Sequence, residues 1–305
     1  QFLNCYLFCG PSGCGKTTIA RIFANKINKG KGCPIEIDGA SNNGVDNVKT
    51  IIQSANQRSV DSEYKIYIID ECHALTNAAW QAFLKCIEEP PMYTIFLFCT
   101  TDPQKIPETI LNRVQRHNLT KVNQEEIKNR LAYVCEQEGF TNFDESIDYI
   151  SKICNGGMRD ALALLDKASS FNKNLDINNV LESLGNYSYD SFFDLTNSII
   201  DGNEEAIINI IDDFYNSGKD LKLFVEQYLE FTLDLAKYCL LGSMDVTRLP
   251  ISLEEQVKYC IGIENNRIYF NSLVDRMLKL KSEIKYDNNI KTTILIMILQ
   301  FTRGQ

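Results

Sequence analysis

The sequence predicts an α/β domain with a parallel sheet around a phosphate-binding loop, followed by a region built from helices alone. Residues 10–17 fit the pattern G-x-x-x-x-G-K-[ST] at every fixed position. Up to about Thr120, short apolar runs alternate with helical patterns, as a parallel sheet with crossover helices requires. From Asn123 onward, apolar residues recur only at the spacing of helices.

The phosphate-binding loop has the flanks that its motif needs. Residues 5–9 form the short apolar run of a buried parallel strand. A helical pattern follows the loop at Ile19, Ile22, Phe23 and Ile27. In such a loop, backbone N–H groups surround the phosphates, the lysine reaches the outer phosphates and the threonine hydroxyl binds Mg²⁺. We expect ATP and Mg²⁺, and the predicted nucleotide-binding residues of the loop are Gly10, Pro11, Ser12, Gly13, Cys14, Gly15, Lys16, Thr17 and Thr18.

Three further strands are predicted in this first block. Residues 35–38 form a short strand, and residues 40–46, rich in turn and capping residues, lead into a helix. Residues 65–71 form an apolar strand, and residues 94–101 form another. The helix between them stops before Pro90, because proline cannot continue a helix. Its apolar stripe, which we assign to the core, is Trp80, Phe83, Leu84 and Ile87.

The helical region divides into two predicted parts. Two amphipathic patterns precede Gly156-Gly157, a break after which a third helix carries Arg159. A polar join at residues 172–174 precedes helical patterns that continue to the end of the sequence. We expect three domains, at residues 1–120, 121–175 and 176–305.

Composition excludes several classes of protein. A chain of 305 residues with 44% hydrophobic and 23% charged residues is typical of globular proteins. Its longest apolar run, residues 294–299, is too short to cross a membrane. The eleven cysteines are scattered without a C-x-x-C pair, which favours a reducing cytoplasm over a disulfide framework or a zinc site.

The net charge of −9 is unevenly distributed along the chain. Residues 1–120 carry 12 lysines and arginines against 11 acidic residues, whereas the remainder carries 19 against 29. The excess of acid therefore lies outside the predicted nucleotide-binding block. A near-neutral domain can still present a basic face, so DNA contact by this block stays open.

Asp70 and Glu71 close a predicted strand, 54 residues after Lys16. At this strand end in P-loop ATPases, the aspartate helps to hold Mg²⁺ and a neighbouring glutamate can polarise the attacking water. We assign Asp70 to the Mg²⁺ site, together with Thr17, and Glu71 as the general base. The two histidines, His73 and His117, lack the spacing of a metal pair, so structural or solvent-facing roles are favoured for them.

Several motifs between residues 7 and 168 resemble those of one family. They are Asp70-Glu71-Cys72-His73, Glu88-Glu89-Pro90-Pro91, Thr100-Thr101-Asp102-Pro103-Gln104-Lys105, Asn112-Arg113-Val114, and residues 35–45 and 156–162. Together they resemble the bacterial clamp-loader ATPases of the AAA+ class, specifically the gamma/tau subunits of DNA polymerase III. The resemblance implies an AAA+ base domain, a helical lid domain and an all-α collar domain. Beyond residue 168 it is supported only by helical content and length.

The resemblance implies roles for three further residues. Thr101 matches sensor 1, a strand-end hydroxyl near the γ-phosphate or the attacking water. Arg113 matches the arginine of a Ser-Arg-Cys motif, which reaches the ATP of a neighbouring subunit and supplies charge at the transition state. Arg159 matches sensor 2, a lid arginine that contacts the nucleotide. Asn112 and Val114 replace the serine and the cysteine of the motif, so Arg113 is retained in a different setting.

Two features of the family are missing. Its members usually carry a four-cysteine zinc module between the first helix and the second strand, where this sequence has Cys33 alone, so we expect no zinc. A segment that helps to hold adenine precedes the loop in the family, whereas this sequence begins almost at the loop. Either the sequence is a fragment or the adenine is held differently.

The resemblance also implies surfaces for partners. Relatives approach the template backbone, in contacts that do not read sequence, near the positions of Asn42, Asn43 and Lys49. The implied sliding-clamp positions are Leu75, Thr76 and Asn77. We expect a motor subunit that opens a sliding clamp and loads it onto primed DNA, within a pentamer of loader subunits joined by their collars. Because Arg113 would act on a neighbour, we expect the isolated chain to hydrolyse ATP slowly.

Two alternatives remain open. The first is a non-hydrolysing structural subunit of a clamp loader, which the intact Lys16 and Glu71 disfavour. The second is another AAA+ DNA motor or a helicase loader. A motor of that kind would carry a winged-helix domain, and no β-wing pattern occurs from residue 177 onward.

Overall fold

The structure is a computed structural model that describes residues 3–170, 172–262 and 267–303. The chain separates into two compact units. The first unit comprises residues 1–124 with 155–160, and the second comprises residues 125–154 with the chain from 161 onward. Each unit has a hydrophobic core of its own.

The first unit contains a five-stranded sheet in which all neighbouring strands are parallel. Its strands are β1 Cys5–Cys9, β2 Ile35–Asp38, β3 Lys65–Asp70, β4 Thr94–Thr100 and β5 Gln115–Asn118. Its helices are α1 Lys16–Ile27, α2 Val45–Ala55, α3 Asn77–Glu88 and α4 Glu108–Leu111. The strand order is β2-β3-β4-β1-β5, so the carboxyl ends of β1, β3 and β4, where open parallel sheets bind ligands, lie side by side.

The sheet is buried on both faces, which explains why its central strands are continuous apolar runs. Every residue of β1 and β4 is buried. Because side chains alternate along a strand, Leu7 of β1 packs with Trp80 and Phe83 of α3, whereas Phe8 packs with Ala20 of α1. The predicted parallel α/β fold is confirmed.

Two details of the first unit differ from the prediction. No strand was predicted at β5, because its four residues are polar and exposed. The strand is held at the edge of the sheet by its pairing with β1 and carries no apolar pattern. The helix predicted after the loop is present as α1, but Ile19 and Ile22 are exposed. Its buried face consists of Lys16, Ala20, Ala24 and Ile27.

Over the residues that the structure describes, the second unit is helical apart from an isolated bridge between Thr141 and Asn174. The first helices, in the predicted lid region, are α5 Gln124–Glu138, α6 Asp144–Ile153 and α7 Met158–Ser169. The helices of the predicted collar region are α8 Ile177–Leu184, α9 Tyr189–Ile200, α10 Glu204–Asn216, α11 Leu221–Leu241, α12 Glu254–Ile261, α13 Arg267–Glu283 and α14 Ile290–Arg303. The predicted all-helical second part is confirmed, whereas its division near residue 175 remains a prediction.

The helix α11 lies at the centre of the second core. It packs along α13, and it buries Phe224, Tyr228 and Phe231 against α9. The Tyr228 hydroxyl lies 2.9 Å from Thr196 Oγ1 of α9, which gives this apolar interface one specific polar contact. No helix within the described ranges is both long and apolar enough to cross a membrane.

Candidate nucleotide-binding and hydrolysis site

Residues 10–17 connect β1 to the first turn of α1. Gly13 and Gly15 have φ angles of +71° and +94°, in the left-handed region that glycine tolerates. The Lys16 Nζ atom donates to the backbone carbonyls of Gly10 and Pro11 at 3.0 and 2.9 Å, and the residue is only 6% exposed. The loop therefore combines a helix N-terminus with a buried cation, two features that favour phosphate binding.

The loop is tied to the start of α7. The Met158 N–H donates to the Gly13 carbonyl at 3.1 Å, and a Cβ atom added to Gly13 would lie 3.0 Å from the Gly157 Cα. Arg159, the next residue of α7, is exposed, and no ion pair holds its guanidinium among the described residues. The predicted sensor-2 arginine therefore directly follows Met158, whose N–H contacts the loop.

Thr17 and Asp70 join the loop to the acidic end of β3. Thr17 Oγ1 donates to Asp70 Oδ2 at 2.7 Å. A hydroxyl and a carboxylate are hard oxygen ligands of the kind that Mg²⁺ prefers, and Mg²⁺ in phosphate sites takes its other ligands from water and phosphate. The pair therefore fits Mg²⁺ without a larger group of protein ligands. Within the described part of the chain, no cluster of three or more His, Cys, Asp or Glu residues forms a separate metal site.

Glu71 follows β3 in a left-handed backbone conformation, with φ +44° and ψ +42°. Such a conformation is rare for a residue other than glycine and costs on the order of 1–3 kcal/mol, and residues of this kind cluster at functional sites. The Glu71 N–H donates to Asp70 Oδ1 at 3.0 Å. The Asp70 carboxylate therefore contacts Thr17 through one oxygen and stabilises the turn at Glu71 through the other.

The Glu71 carboxylate is held through one oxygen. Thr101 Oγ1 donates to Glu71 Oε2 at 3.1 Å, and His73 Nδ1 lies 3.2 Å from the same oxygen. Thr101 directly follows β4, and His73 belongs to the one-turn 3-10 helix Cys72–Ala74. The structure thus brings the predicted base and the predicted sensor 1 into contact. It also places His73 beside the base, although the sequence analysis favoured a structural or solvent-facing role for this residue.

Gly39 is a further residue of the site that lies outside the predicted set. Its N–H donates to the Asp70 carbonyl at 2.8 Å, and a Cβ atom added to it would lie 2.9 Å from that oxygen and 3.0 Å from the Glu71 carbonyl. Two signals in the sequence pointed to it, a glycine directly after a predicted strand and its place in the family-like segment 35–45. Its partners are distant in the chain, so only the pairing of β2 with β3 reveals why the side chain must be absent.

Arg113 lies between α4 and β5 and has partners on its own chain. Its Nη2 atom forms an ion pair with Glu88 Oε1 at 2.8 Å, and its Nη1 atom donates to the Thr109 carbonyl at 2.7 Å. No hydrogen bond or ion pair among the described residues joins Arg113 to the loop or to Asp70 and Glu71. Two motifs of the sequence, Glu-Glu-Pro-Pro and Asn-Arg-Val, therefore meet in one ion pair.

The remaining predicted nucleotide-binding residues differ in exposure. Ser12 and Thr18 are exposed, and Cys14 is half-buried. Two thiols at the strand ends beside the loop are buried: burial raises the pKa of the Cys99 thiol to about 12 and raises the pKa of Cys9 as well. Both thiols therefore stay protonated and unreactive near neutral pH.

The predicted DNA-contact positions lie at and after the turn between β2 and α2. The Asn42 amide donates to the Asp38 carbonyl at 3.0 Å, Asn43 is exposed, and Lys49 forms an exposed ion pair with Asp46. The Asn43 carbonyl accepts a hydrogen bond from the Thr76 N–H at 3.1 Å. The surfaces predicted for DNA and for the clamp are therefore adjacent.

The predicted clamp positions differ in availability. Leu75 is 6% exposed and belongs to the core of the first unit, so the prediction of a clamp contact for its side chain needs correction. An apolar residue before a helix start fills the core here because the turn directs it inward. Thr76 accepts a hydrogen bond from the Ala79 N–H at 3.2 Å as the N-cap of α3, and Asn77 is exposed. Only Thr76 and Asn77 remain as candidates.

Cys33, which stands where the family carries its zinc module, is exposed in the connection between α1 and β2. A single thiolate cannot supply the four ligands of a structural zinc site. The absence of zinc stays a prediction.

Three protein-family profiles match the chain. Residues 33–123 match the family described as DNA polymerase III, delta subunit, and residues 126–174 match DNA polymerase III clamp loader subunit, ATPase lid domain. Residues 175–258 match the family DNA polymerase III subunits gamma and tau domain III. The three matches follow one another along the chain and all describe subunits of one polymerase.

Individual relatives agree with these profiles. The chain is 32% identical to the DNA polymerase III subunit tau of Bacillus subtilis, in an alignment that covers 95% of this chain and 55% of the relative. It is 30% identical to the DNA polymerase III subunit gamma/tau of Mycoplasma genitalium, over 80% of this chain and 45% of the relative. The chain therefore spans about half the length of these relatives.

Among solved structures, a point variant of RuvB from Thermotoga maritima matches with a TM-score of 0.50 and 19% identity. The match covers 65% of this chain and 68% of that protein. At this level of identity the likeness concerns the fold alone, and it agrees with an AAA+ architecture.

Proposed function

Since the chain belongs to the family of clamp-loader subunits that includes gamma and tau of DNA polymerase III, we propose that it is an ATP-hydrolysing motor subunit of a clamp loader. In this proposal it binds ATP and Mg²⁺ and acts in DNA replication in the cytoplasm. Its partners are a sliding clamp, further loader subunits that complete a pentamer, and primed-template DNA bound without regard to sequence.

The observation that carries the proposal is the hydrogen bond of 2.7 Å between Thr17 Oγ1 and Asp70 Oδ2. A glycine-rich turn alone can arise by chance, and an acidic strand end alone is often a solvated surface. Their contact puts the cation of Lys16, the hydroxyl of Thr17 and the carboxylate of Asp70 at one edge of the sheet. A site for a metal-bound nucleoside triphosphate needs this combination.

Thr17 and Asp70 hold Mg²⁺ in this proposal. When bound, Mg²⁺ would neutralise the negative charge that develops on the phosphate oxygens. Lys16 and the backbone N–H groups of residues 10–17 bind and orient the phosphates. Arg159, from the start of α7, contacts the nucleotide as sensor 2.

Glu71 acts as the general base. It accepts a proton from a water molecule whose oxygen forms a bond to the γ-phosphorus, while the bond to the bridging oxygen breaks and its electron pair leaves with ADP. Thr101, which donates to Glu71 Oε2, holds the base beside the position of the γ-phosphate. This arrangement supports a hydrolysing subunit over a structural one.

Arg113 completes the site of a neighbouring subunit. Its guanidinium is held by Glu88 and by the Thr109 carbonyl and has no contact with the loop of its own chain among the described residues. An arginine that reaches a neighbour's γ-phosphate contributes roughly 10³–10⁵-fold to the rate. The isolated chain is therefore a slow ATPase in this proposal.

The three predicted parts of the chain have separate tasks in the proposal. Residues 1–120 form the ATPase base, residues 121–175 the lid and residues 176–305 the collar that joins subunits. The ATPase base domain contacts DNA through the region of Asn42, Asn43 and Lys49. The same domain contacts the clamp near Thr76 and Asn77.

ATP binding and hydrolysis by purified variants test the proposal. We expect Lys16→Ala to lose ATP binding, because it removes the buried cation of the loop. We expect Glu71→Gln to keep ATP binding and to lose about 10²-fold or more in kcat, because it removes the base. Arg58→Ala serves as the control. Arg58 stacks on Tyr93, and both residues precede strands, whereas the candidate site lies at the carboxyl ends of the strands.

Two results would contradict the proposal. If Glu71→Gln hydrolysed ATP as fast as the wild type, Glu71 would not be the base. If the wild type bound ATP tightly but did not turn it over under any condition, a non-hydrolysing structural subunit would be the better account.

A further inference from the structure

His73 is close to the candidate base although it is neither part of the phosphate loop nor a metal ligand. It lies in the 3-10 helix Cys72–Ala74, and its side chain is 21% exposed. Its Nδ1 atom lies 3.2 Å from Glu71 Oε2 and 3.2 Å from Thr100 Oγ1. The imidazole is therefore held between the acidic turn after β3 and the end of β4.

The two neighbours of Nδ1 determine which nitrogen carries a proton. A carboxylate oxygen only accepts hydrogen bonds, so an unprotonated Nδ1 at 3.2 Å would place two lone pairs against each other. Thr100 Oγ1 already accepts a hydrogen bond from the Asp102 N–H at 3.0 Å, and its second lone pair can accept the proton on His73 Nδ1. This arrangement therefore favours Nδ1 as the protonated nitrogen, with Glu71 and Thr100 as its acceptors.

With this tautomer, His73 Nδ1–H lies within hydrogen-bonding distance of the carboxylate oxygen to which Thr101 donates. Thr101 Oγ1 approaches Glu71 Oε2 at 3.1 Å from the end of β4, and His73 approaches it from the 3-10 helix. With Oε2 restrained by two donors, Oε1 is the oxygen that remains for the attacking water. The Glu71 side chain is 40% exposed, so packing alone does not fix its rotamer.

We propose that His73 is a positioning residue for hydrolysis, which holds the Glu71 carboxylate through Nδ1–H so that Oε1 faces the water beside the γ-phosphate. This inference rests on the proposed function, in which Glu71 is the base. His73 itself does not touch the water or the phosphate in this arrangement.

Replacement of His73 separates positioning from binding. His73→Asn keeps an N–H donor at the same number of bonds from Cα as Nδ1, whereas His73→Leu replaces the ring with an apolar side chain that has no donor. We expect His73→Leu to lower kcat by about tenfold, a part of the 10²–10⁴-fold that a general base supplies, with KM for ATP unchanged. We expect His73→Asn to recover most of that loss.

The chain offers a matched control. His117, the other histidine, lies exposed on β5 and stacks on Phe8 at 5.6 Å between ring centroids. We expect His117→Asn to leave kcat unchanged. In the Glu71→Gln background, we expect His73→Leu to change the residual rate little, because a residue that acts through Glu71 has no effect once the base is absent.

A readout that needs no hydrolysis is the tautomer of His73. Because the chain has only two histidines, long-range ¹H–¹⁵N correlation spectra of the full chain can be assigned with the His117→Asn variant. We expect Nδ1 of His73 to be protonated in the wild type at pH 8, and we expect its signal to move in Glu71→Ala.

Three results would overturn the inference. They are an unprotonated Nδ1, a kcat of His73→Leu equal to that of the wild type, and a loss in His73→Leu that His73→Asn does not recover. Equal rates in Glu71→Gln and the wild type would instead contradict the proposed function, so the two failures are distinguishable.

Discussion

At the scale of single residues, Asp70 joins three segments of the candidate site. Its Oδ2 atom accepts from Thr17 in the loop, and its Oδ1 atom accepts from the N–H of Glu71 in the following turn. Its backbone carbonyl accepts from the N–H of Gly39 at the end of β2. A change in any of these partners is therefore expected to move the proposed base, Glu71, or the proposed Mg²⁺ ligands, Thr17 and Asp70.

Gly39→Ala tests this coupling at a residue without catalytic groups. The new methyl group would meet the carbonyl oxygens of Asp70 and Glu71 at 2.9 and 3.0 Å, so the turn must move by a few tenths of an ångström. We expect a loss of about 1–3 kcal/mol in the free energy of unfolding, as for other overpacked sites, and a fall in kcat of about tenfold. Urea unfolding and steady-state ATPase kinetics measure the two effects.

The control for this variant is Gly44→Ala. Gly44 has an ordinary φ of −85° and no atom within 4 Å of an added Cβ, so only its role as N-cap of α2 is altered. We expect a change in stability of less than about 1 kcal/mol and an unchanged kcat. Equal kcat values for Gly39→Ala and the wild type would show that the turn tolerates displacement, against our interpretation.

The residues of the site could be predicted from the sequence where a motif carries them. Lys16, Thr17, Asp70 and Glu71 follow from the loop pattern and from an acidic strand end. His73 was assigned a structural or solvent-facing role because the two histidines lack the spacing of a metal pair. Its contact with Glu71 was not predictable, since it depends on a left-handed backbone at Glu71. The burial of Leu75 was not predictable either, since it depends on the path of the chain from β3 into α3.

At the scale of elements, the apolar residues of each strand decided whether the sequence predicted it. The strands β1 and β4 are buried along their whole length, and their apolar runs predicted them. The edge strand β5 pairs only with β1 and exposes all four residues. Its formation depends on backbone hydrogen bonds to β1, which leave no pattern in the sequence. For α1, apolar spacing predicted the helix but not its buried face, which consists mainly of small residues.

The contact between α9 and α11 allows a prediction about the helical core. Thr196 Oγ1 donates to the Phe192 carbonyl at 2.8 Å, so the Tyr228 hydroxyl donates to Thr196. Burial raises the pKa of Tyr228, which therefore remains a donor at any physiological pH. The bond is buried on both sides, so its two partners are not equivalent when removed.

We expect Thr196→Val to destabilise the protein more than Tyr228→Phe. The valine leaves the buried Tyr228 hydroxyl without an acceptor, at a cost of about 2–3 kcal/mol, whereas the phenylalanine leaves Thr196 bonded to Phe192, at a cost of about 1 kcal/mol. Urea unfolding followed by fluorescence and circular dichroism measures both. The reverse order of the two losses would contradict the assigned direction of the hydrogen bond.

At the scale of the whole molecule, the chain combines a candidate nucleotide site with a larger helical part. The succession of an α/β domain and a helical region follows from the change in apolar spacing near Asn123. The assembly of subunits does not follow from one chain, because an arginine that serves a neighbour has only its local partners in the isolated protein. Here Arg113 is paired with Glu88.

The most direct test of the account is the ATPase rate with and without partners. The wild type and Arg113→Ala would each be measured alone and with a sliding clamp, the other loader subunits and primed-template DNA, and ATP binding would be measured in parallel. We expect strong stimulation of the wild type by the partners, and a loss of roughly 10³-fold in the stimulated rate of Arg113→Ala with ATP binding retained. A flat rate with every partner despite tight ATP binding, or full stimulation of Arg113→Ala, would contradict a motor subunit whose sites are completed by its neighbours.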